Sequence, residues 1–403
     1  MIILTWIVFL MNPMVGIMFV LIGLLKDKKH STQYSMMMAL LLASFAFWFI
    51  PNHEMDLTRY FDQLYNYSNL PWNIFLKEVL SKQILFIQEL LFYFIAKTGN
   101  FHLLPAIVIF CVYFILFYMI TDYCKRRDIG CYKSFACIFT TIMILPYPSI
   151  VSNVRNVLAF SIFIYGIYRE YIQNKKNIIT VLLYVIPIFI HISSVALVAI
   201  RLLVPLYKRA RKFKLILSGG ILTVPFIINK VVPLLNLGNG ITSAFLIKAN
   251  NYVNKTENDY AIYIKNSLFM KMEKFYFIAL VVFLLGILFL MKYYKREKEI
   301  TCLDNNIYLF FELLSLTVIG TVPIIITVYL RFTIPVIMML FILILEYKKY
   351  INKKIYKRLI SISLFLFVLF GFLHQIVLLQ KMTNINFMII NVLVRSIFNM
   401  FIM

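Results

Sequence analysis

Two arginines in this sequence have the clearest potential for chemistry, because each lies at the end of an apolar run. They are Arg155 and Arg331. An arginine at the end of a membrane helix keeps its charge and is costly to desolvate, so it needs a partner. Lipid headgroups, water or a nearby acid are the ordinary partners, and either side chain can extend to headgroups. A bound anion is the alternative, because a guanidinium holds phosphate oxygens with two parallel hydrogen bonds.

Further polar residues come out on the same predicted side of the membrane as these arginines. They are Asp56, Arg59, Tyr60, Glu89, Asn156 and His191. Arginines, carboxylates and a histidine at the mouth of a helical bundle suit one chemistry. The arginines would hold a lipid-linked pyrophosphate, and an acid or the histidine would take the proton of an incoming hydroxyl. The sequence has no DxD-like ligand set, so we expect no metal and no cofactor.

Each of these residues also has an ordinary interpretation. Asp56 and Arg59 are three residues apart and could pair across one helical turn. Glu89 could solvate the polar face of an interfacial helix, and His191 could be a hydrogen-bonded packing histidine. Glu312 is a separate case, because it lies inside the apolar run 305–323, where an acid is usually functional or paired. An acid at that depth could also serve a transport pathway.

The composition predicts an all-α polytopic membrane protein. The 403 residues are 62% hydrophobic and 14% charged, with a mean hydropathy of +0.86. No soluble domain of this length has such a composition. The net charge of +23 would suggest nucleic acid in a soluble protein. Here the lysines and arginines lie in short loops between apolar runs, so membrane orientation explains them and we expect no nucleic-acid partner.

The basic loops predict about 12 transmembrane helices in one polytopic domain over residues 1–403. We expect the first span over 2–24 and its basic end to be cytoplasmic. Two long outer loops follow from the same pattern, over 52–100 and 236–273. Within the first, the apolar piece 83–97 must not cross, because only an even number of crossings leaves the basic end of the next span cytoplasmic. We therefore predict an amphipathic or re-entrant helix there.

Two other segments are predicted to bend. Pro146 and Pro148 must bend or end the run 134–151, just before the Arg155 turn. The run 178–207 is best explained as a re-entrant hairpin with a bend near Pro187 and a turn at 191–194, since a single span would invert every later loop. The hairpin places His191 on the same side as Arg155. Inverted repeats, which would favour a transporter, are not found in the sequence.

Several short motifs together resemble the EpsG family, whose members are Wzy-like bacterial polysaccharide polymerases. The motifs are Asp56-x-x-Arg59-Tyr60, Gln88-Glu89 with Phe92 and Tyr93, Val154 to Ala159, His191 to Ser194, and Tyr329-Leu330-Arg331-Phe332. Their order and spacing extend over residues 56–332. The family usually has glutamine at the position of Asn156 and lysine at that of Ile192, so one change keeps an amide and the other loses a cation.

The resemblance implies a metal-independent, inverting glycosyltransferase in a bacterial plasma membrane. Its substrates would be oligosaccharide repeat units on undecaprenyl pyrophosphate, joined at the outer face for capsule, exopolysaccharide or O-antigen. The implied fold is similar to GT-C glycosyltransferases and O-antigen ligases. Arg155 and Arg331 would hold the donor pyrophosphate, and Asp56, Glu89 or His191 would be the base. Membrane lipid and a chain-length regulator are the other partners that this allows. A transporter or flippase of lipid-linked oligosaccharide is the alternative function.

Overall fold

The computed structural model describes residues 2–210, 216–223, 267–295, 305–322 and 328–402. Every regular element in these ranges is helical, which confirms the all-α prediction. Four of the described helices are long and apolar enough to cross a membrane, and six shorter ones are also apolar. The four are Leu103–Arg126, Leu268–Tyr294, Tyr329–Tyr350 and Lys354–Met382. The protein is a helical membrane protein, while the count of about twelve crossings and the GT-C likeness stay predictions.

The described helices are numbered here in chain order. They are α1 (Ile2–Met11), α2 (Pro13–Lys26), α3 (Ser31–Phe47), α4 (Asp56–Ser68), α5 (Phe86–Lys97), α6 (Leu103–Arg126), α7 (Cys131–Ile144), α8 (Tyr147–Ser152), α9 (Val154–Tyr171), α10 (Ile178–Ile190), α11 (Ser194–Arg209), α12 (Leu268–Lys295), α13 (Asn305–Thr321), α14 (Val328–Tyr350), α15 (Lys354–Met382), α16 (Ile385–Val394) and α17 (Asn399–Ile402). Residues 216–223 are also helical, but the rest of the predicted span 215–235 and residues 236–266 of the predicted outer loop lie outside the described residues.

The helices form two compact units. The first, unit 1, contains residues 1–168, 176–191 and 368–403, and the second, unit 2, contains 169–175 and 192–367. Each unit is described by itself below. The expectation of a single polytopic domain over 1–403 stays a prediction.

The core of unit 1 is the pairing of α3 with α6. Small buried residues on α3, among them Ser35, Ala39 and Ala43, allow the two backbones to approach closely. Large side chains of α6, such as Tyr113 and Phe117, are fully buried as well. This packing fixes the ends of α3 and α6 relative to each other and so defines the two ends of the unit.

One end of unit 1 carries the basic loops. Lys28, after α2, forms an ion pair with Asp128, after α6, at 2.5 Å. Arg126 and Tyr168 both bond to Asp122, at 2.7 and 2.8 Å. These contacts bring together the C-terminal ends of α2, α6 and α9, as the topology derived from the basic loops predicts.

The first apolar run forms two helices, so the expectation of one span over 2–24 is wrong. The chain turns at Asn12, whose side chain accepts hydrogen bonds from the amides of Met14 and Val15 and caps α2. The two helices then pack on each other so closely that a Cβ on Gly16 would lie 2.4 Å from the Cα of Phe9. Proline at the first position of α2 and the capping asparagine are the local reasons for this turn.

The run 134–151 bends where its prolines predict, between α7 and α8. The break leaves helix carbonyls without their normal partners, which is expensive inside a membrane. Gln375 of α15 compensates by donating to the carbonyls of Ile142 and Met143, each at 2.7 Å. Tyr147 donates to the carbonyl of Leu42 at 2.9 Å and attaches the bend to α3. The bend that precedes the Arg155 turn is thus attached to α3 and to α15.

The segment between α3 and α6 contains two short helices. α4 and α5 have 13 and 12 residues, which is about 18–20 Å of helix. The hydrocarbon core of a bilayer is about 30 Å thick, so neither helix is long enough to cross it as a straight span. Short α, π and 3-10 turns over residues 72–82 join the two helices. That 83–97 does not cross, and that it lies at the membrane interface, stay predictions.

The two arms predicted over 178–207 are present as α10 and α11. Pro187 lies inside α10, and the helix ends where His191 begins the turn. α10 belongs to unit 1 and packs on α5, whereas α11 belongs to unit 2. The turn is confirmed, because the chain leaves the helix over residues 191–193. The bend near Pro187 and the re-entrant character stay predictions.

Unit 2 is built around α14, whose apolar stretch is mostly buried. α12 and α13 pack on α14, and α11 packs on α13. Ion pairs join helices inside this unit. Arg201 of α11 forms a fork with Glu170 at 3.1 and 2.5 Å, and Lys292 of α12 pairs with Glu312 of α13. Glu312 is therefore a paired acid. Pairing was one of the two interpretations, paired or functional, that its place in an apolar run allowed.

Candidate functional site

Arg155 is the second residue of α9 and lies half-buried, directly after the bend of α8. Its Nε donates to the hydroxyl of Tyr60 at 2.9 Å, and its Nη1 donates to Oε1 of Gln88 at 3.2 Å. The guanidinium also lies over the Tyr60 ring, 4.6 Å from the ring centroid. Both hydrogen-bond partners are neutral, so they orient the arginine without cancelling its charge.

The remaining nitrogen of Arg155 is uncommitted. Nη2 makes no hydrogen bond within the part of the chain that the structure describes, and it is not among the fully buried polar atoms. Over those same ranges no carboxylate pairs with Arg155. A guanidinium with one free edge and full charge is suited to bind an anion.

Glu89 lies at the centre of a second group of contacts on α4 and α5. It is 5% exposed, and its Oε2 accepts hydrogen bonds from Tyr67 at 2.6 Å and from Gln63 at 2.9 Å. Its Oε1 accepts from Nε2 of Gln88 at 3.1 Å. Because Gln88 also bonds Arg155, the two groups form one continuous chain of hydrogen bonds. We call this chain the Glu89 relay: Gln63, Tyr67, Glu89, Gln88, Arg155 and Tyr60.

A small pocket adjoins the relay, with an apolar lining apart from Arg155 and Gln88. Its other walls are Leu91, Phe92, Leu104, Val108, Val154, Leu158 and Ile190. Nη2 of Arg155 makes no hydrogen bond in the described ranges, so an anion on Arg155 would approach by that edge.

The position of this pocket on α6 defines which end of unit 1 it occupies. Leu104 and Val108 are in the first two turns of α6, and Arg126 is in its last turn. The distance along the helix between them is about 30 Å. The relay and the basic loops therefore lie at opposite ends of unit 1, as the topology predicts.

Asp56 and Arg59 pair with each other, with Nη2 of the arginine 2.7 Å from Oδ1 of the aspartate. The arginine side chain is 69% exposed. This is the ordinary i,i+3 pair that the spacing allowed. The pair lies on α4, where Arg59 directly precedes Tyr60, and in the described ranges neither residue shares a hydrogen bond or an ion pair with Arg155. Their roles as base and pyrophosphate ligand stay predictions.

The other predicted residues lie at different distances from the relay. Asn156 is next to Arg155 and is 3% exposed. His191 is 9% exposed and directly follows Ile190, which lines the pocket. Arg331 is a half-buried residue near the start of α14 and belongs to unit 2. The structure thus joins Arg155, Tyr60 and Glu89, and it places His191 beside their pocket.

Within the described ranges, no three histidine, cysteine, aspartate or glutamate side chains are grouped as ligands for a metal ion. Metal independence stays a prediction.

Comparison with known families identifies the chain. The EpsG family model matches residues 34–389, which include every candidate site residue. The chain belongs to the EpsG family. This is a Wzy-like polysaccharide polymerase family, so the resemblance deduced from residues 56–332 is confirmed and extends further in both directions. Neither a curated protein nor a solved structure gives a significant match to the chain.

Two members of the relay in this EpsG protein, Gln63 and Tyr67, were not identified as functional candidates from the sequence. A signal for them exists in the spacing of α4. Asp56, Tyr60, Gln63 and Tyr67 follow one another at intervals of four, three and four residues, which places them on one face of a helix. Their partner Glu89 is 22 residues beyond Tyr67, and no local pattern predicts that contact.

The Tyr67 hydroxyl should make the EpsG protein sensitive to alkali. Burial, together with the hydrogen bond to Glu89, raises the pKa of Tyr67 above its ordinary value of 10.0. A raised pKa contributes stability that is fully present below pH 10 and is lost as the pH rises through the folded-state pKa. Above pH 10 the wild type should therefore lose more unfolding free energy than a Tyr67→Phe variant. Thermal unfolding in detergent between about pH 8 and 11 measures this difference.

The control for that experiment is Tyr65→Phe, since Tyr65 is a neighbouring tyrosine of α4 and is 64% exposed. It should lose stability with pH in parallel with the wild type. If Tyr67→Phe also runs parallel to the wild type above pH 10, the Tyr67–Glu89 hydrogen bond does not have the assigned effect.

Proposed function

We propose that this EpsG-family protein is an inverting polysaccharide polymerase. It joins oligosaccharide repeat units carried on undecaprenyl pyrophosphate, at the outer face of a bacterial plasma membrane, for capsule, exopolysaccharide or O-antigen. Family membership supports the polymerase class. The observation that carries the proposal is Arg155, which is held by two neutral partners and keeps a free Nη2 edge.

The position of Arg155 within unit 1 supports its assignment to the outer face of the membrane. The relay and the basic loops lie at its opposite ends. Basic loops remain in the cytoplasm. Arg155 is therefore assigned to the outer face, where lipid-linked repeat units are exposed for joining.

The proposed reaction requires a site that binds the leaving pyrophosphate anion. A hydroxyl of the acceptor unit attacks the anomeric carbon of the donor sugar and forms the new glycosidic bond. The bond from that carbon to the pyrophosphate oxygen breaks, and undecaprenyl pyrophosphate leaves with the electron pair. Arg155 stabilises the charge that develops on the leaving group, which is the kind of contribution that lowers a barrier most. Arg331 is the second proposed pyrophosphate ligand.

The proton of the acceptor hydroxyl needs a base, and His191 is our choice among the three candidates. It follows a residue of the pocket wall next to Arg155, and an imidazole is suited to proton transfer near neutral pH. Asp56 is paired with Arg59, and Glu89 is buried among three donors. Tyr60 and Asn156 are proposed to contact substrate. Tyr60 accepts a hydrogen bond from Arg155, and Asn156 is the next residue in the chain.

The experiment that tests this function removes the gene and locates the lipid-linked units. Cells without the protein should lack long polymer and expose single repeat units on the outer leaflet, and the wild-type gene should restore the ladder on a glycan gel. Units that remain protected on the cytoplasmic leaflet would instead establish the transporter or flippase alternative.

A further inference from the structure

Glu89 has the surroundings of a buried anchor. Its carboxylate accepts hydrogen bonds from Tyr67, Gln63 and Gln88, and 5% of the residue is exposed. A carboxylate that accepts several hydrogen bonds is stabilised in its charged form. Such a group holds its donors in place, and an acceptor hydroxyl would have to displace one of them to reach it.

The amide of Gln88 transmits this constraint to Arg155. Gln88 is 2% exposed, and both ends of its amide are used. An ionised carboxylate can only accept hydrogen bonds, so Glu89 requires the NH₂ end of the amide to face it. The carbonyl end is then directed at Nη1 of Arg155, at 3.2 Å. Arg155 can only donate and therefore selects the same orientation of the amide, while Glu89 anchors the opposite, NH₂ end.

The orientation of Arg155 follows from the orientation of the amide. With Nη1 on Gln88 and Nε on Tyr60, the guanidinium plane is fixed by two contacts and by the ring beneath it. The edge left over is Nη2. The negative charge of Glu89 is separated from the guanidinium by a neutral amide, so Arg155 is oriented by an acid without being neutralised by it.

We propose that Glu89 and Gln88 are positioning residues for Arg155, which set the guanidinium so that its free edge meets the donor pyrophosphate. This inference rests on the proposed function and assigns to Glu89 a role other than the base. It states that the effect of Glu89 passes through Gln88 and appears in the affinity for a prenyl pyrophosphate.

The test uses the full-length protein in nanodiscs and farnesyl pyrophosphate as the probe, with binding measured by calorimetry. Glu89→Gln should weaken binding about tenfold, the low end for a hydrogen bond to a charged group. At saturating lipid-linked donor the rate of polymerisation should fall by no more than about tenfold, because a displaced Arg155 also stabilises the leaving pyrophosphate less well, and the pH profile should stay the same. Glu78→Gln is the matched control, because Glu78 is an exposed acid of the same segment that pairs with Lys82; it should bind as the wild type does.

A second variant tests the path of the effect and also serves if Glu89→Gln does not fold. Gln88→Met keeps the volume of the side chain and removes both hydrogen bonds, so it should weaken binding by a similar factor. Adding Glu89→Gln to Gln88→Met should then change affinity no further, since both substitutions interrupt the same relay.

Two results overturn the inference, and they differ from a failure of the proposed function. Unchanged affinity of the Glu89→Gln and Gln88→Met variants for the probe would show that the relay does not position Arg155. Loss of the rate at saturating donor by a factor of about a hundred or more, with a changed pH profile, would make Glu89 the base. If the wild type neither binds the probe nor forms polymer, the proposed function itself is wrong.

Discussion

Replacing Arg155 with alanine is expected to eliminate long polymer while the protein remains folded and inserted. The side chain is half-buried and its hydrogen-bond partners are neutral, so its removal leaves no uncompensated charge. The stabilisation of the leaving pyrophosphate is lost, and loss of such a contact typically lowers a rate by about 10² to 10³. The measurement is a gel of lipid-linked and surface glycans from cells with matched membrane levels of each variant.

Two further variants separate charge, geometry and general damage in this experiment. Arg155→Lys keeps the charge but cannot bond Tyr60, Gln88 and an anion at the same time, so we expect a loss of intermediate size. Arg126→Ala is the control, because Arg126 is an exposed arginine at the opposite end of unit 1 that pairs with Asp122. It should leave the ladder intact. A normal ladder from Arg155→Ala would show that this arginine has a purely structural role.

The second large effect is expected in unit 2, at the ion pair between Lys292 and Glu312. Replacing Lys292 with methionine should destabilise the protein by about 2 kcal/mol, below the range for a fully buried pair, because it leaves a half-buried carboxylate without its cation in a helical membrane unit. Replacing both residues, as Lys292→Met with Glu312→Leu, should restore most of the lost stability, since an apolar pair of similar volume is tolerated in place of such an ion pair. Thermal unfolding of the purified variants in detergent measures both changes.

The same double variant separates the two functions that the sequence allowed. Glu312 was the residue that favoured a transport pathway, and in the structure it pairs with Lys292 and accepts a hydrogen bond from Tyr207 at 3.2 Å. If the pair is structural, cells with the double variant should form a normal polymer ladder. A stable double variant that leaves repeat units on the cytoplasmic leaflet would show that Glu312 has a role in transport.

The bend after α7 and the end of α6 illustrate what could be predicted. The bend follows from Pro146 and Pro148, and the end of α6 follows from the basic residues after an apolar run. The helical class, this bend and the basic end of unit 1 all depend on features that a short stretch of chain contains. The pairing of α3 with α6 was not predicted, because it depends on contacts between distant segments. The division of residues 2–24 into two helices was missed, because hydropathy averaged over the run hides the turn at Asn12.

The sequence by itself determined that this protein is a helical membrane protein and that it belongs with the EpsG polymerases, and it made Arg155 the leading candidate for an anion ligand. Those conclusions rest on run lengths, the placement of lysines and arginines, and the order of short motifs. The tertiary structure decided the partners. It joined Arg155 to Gln88 across 67 residues and Glu89 to Tyr67 across 22, and it paired Glu312 with Lys292. A polar group takes whichever partner the packing of distant helices brings within about 3 Å, and no local pattern specifies that choice.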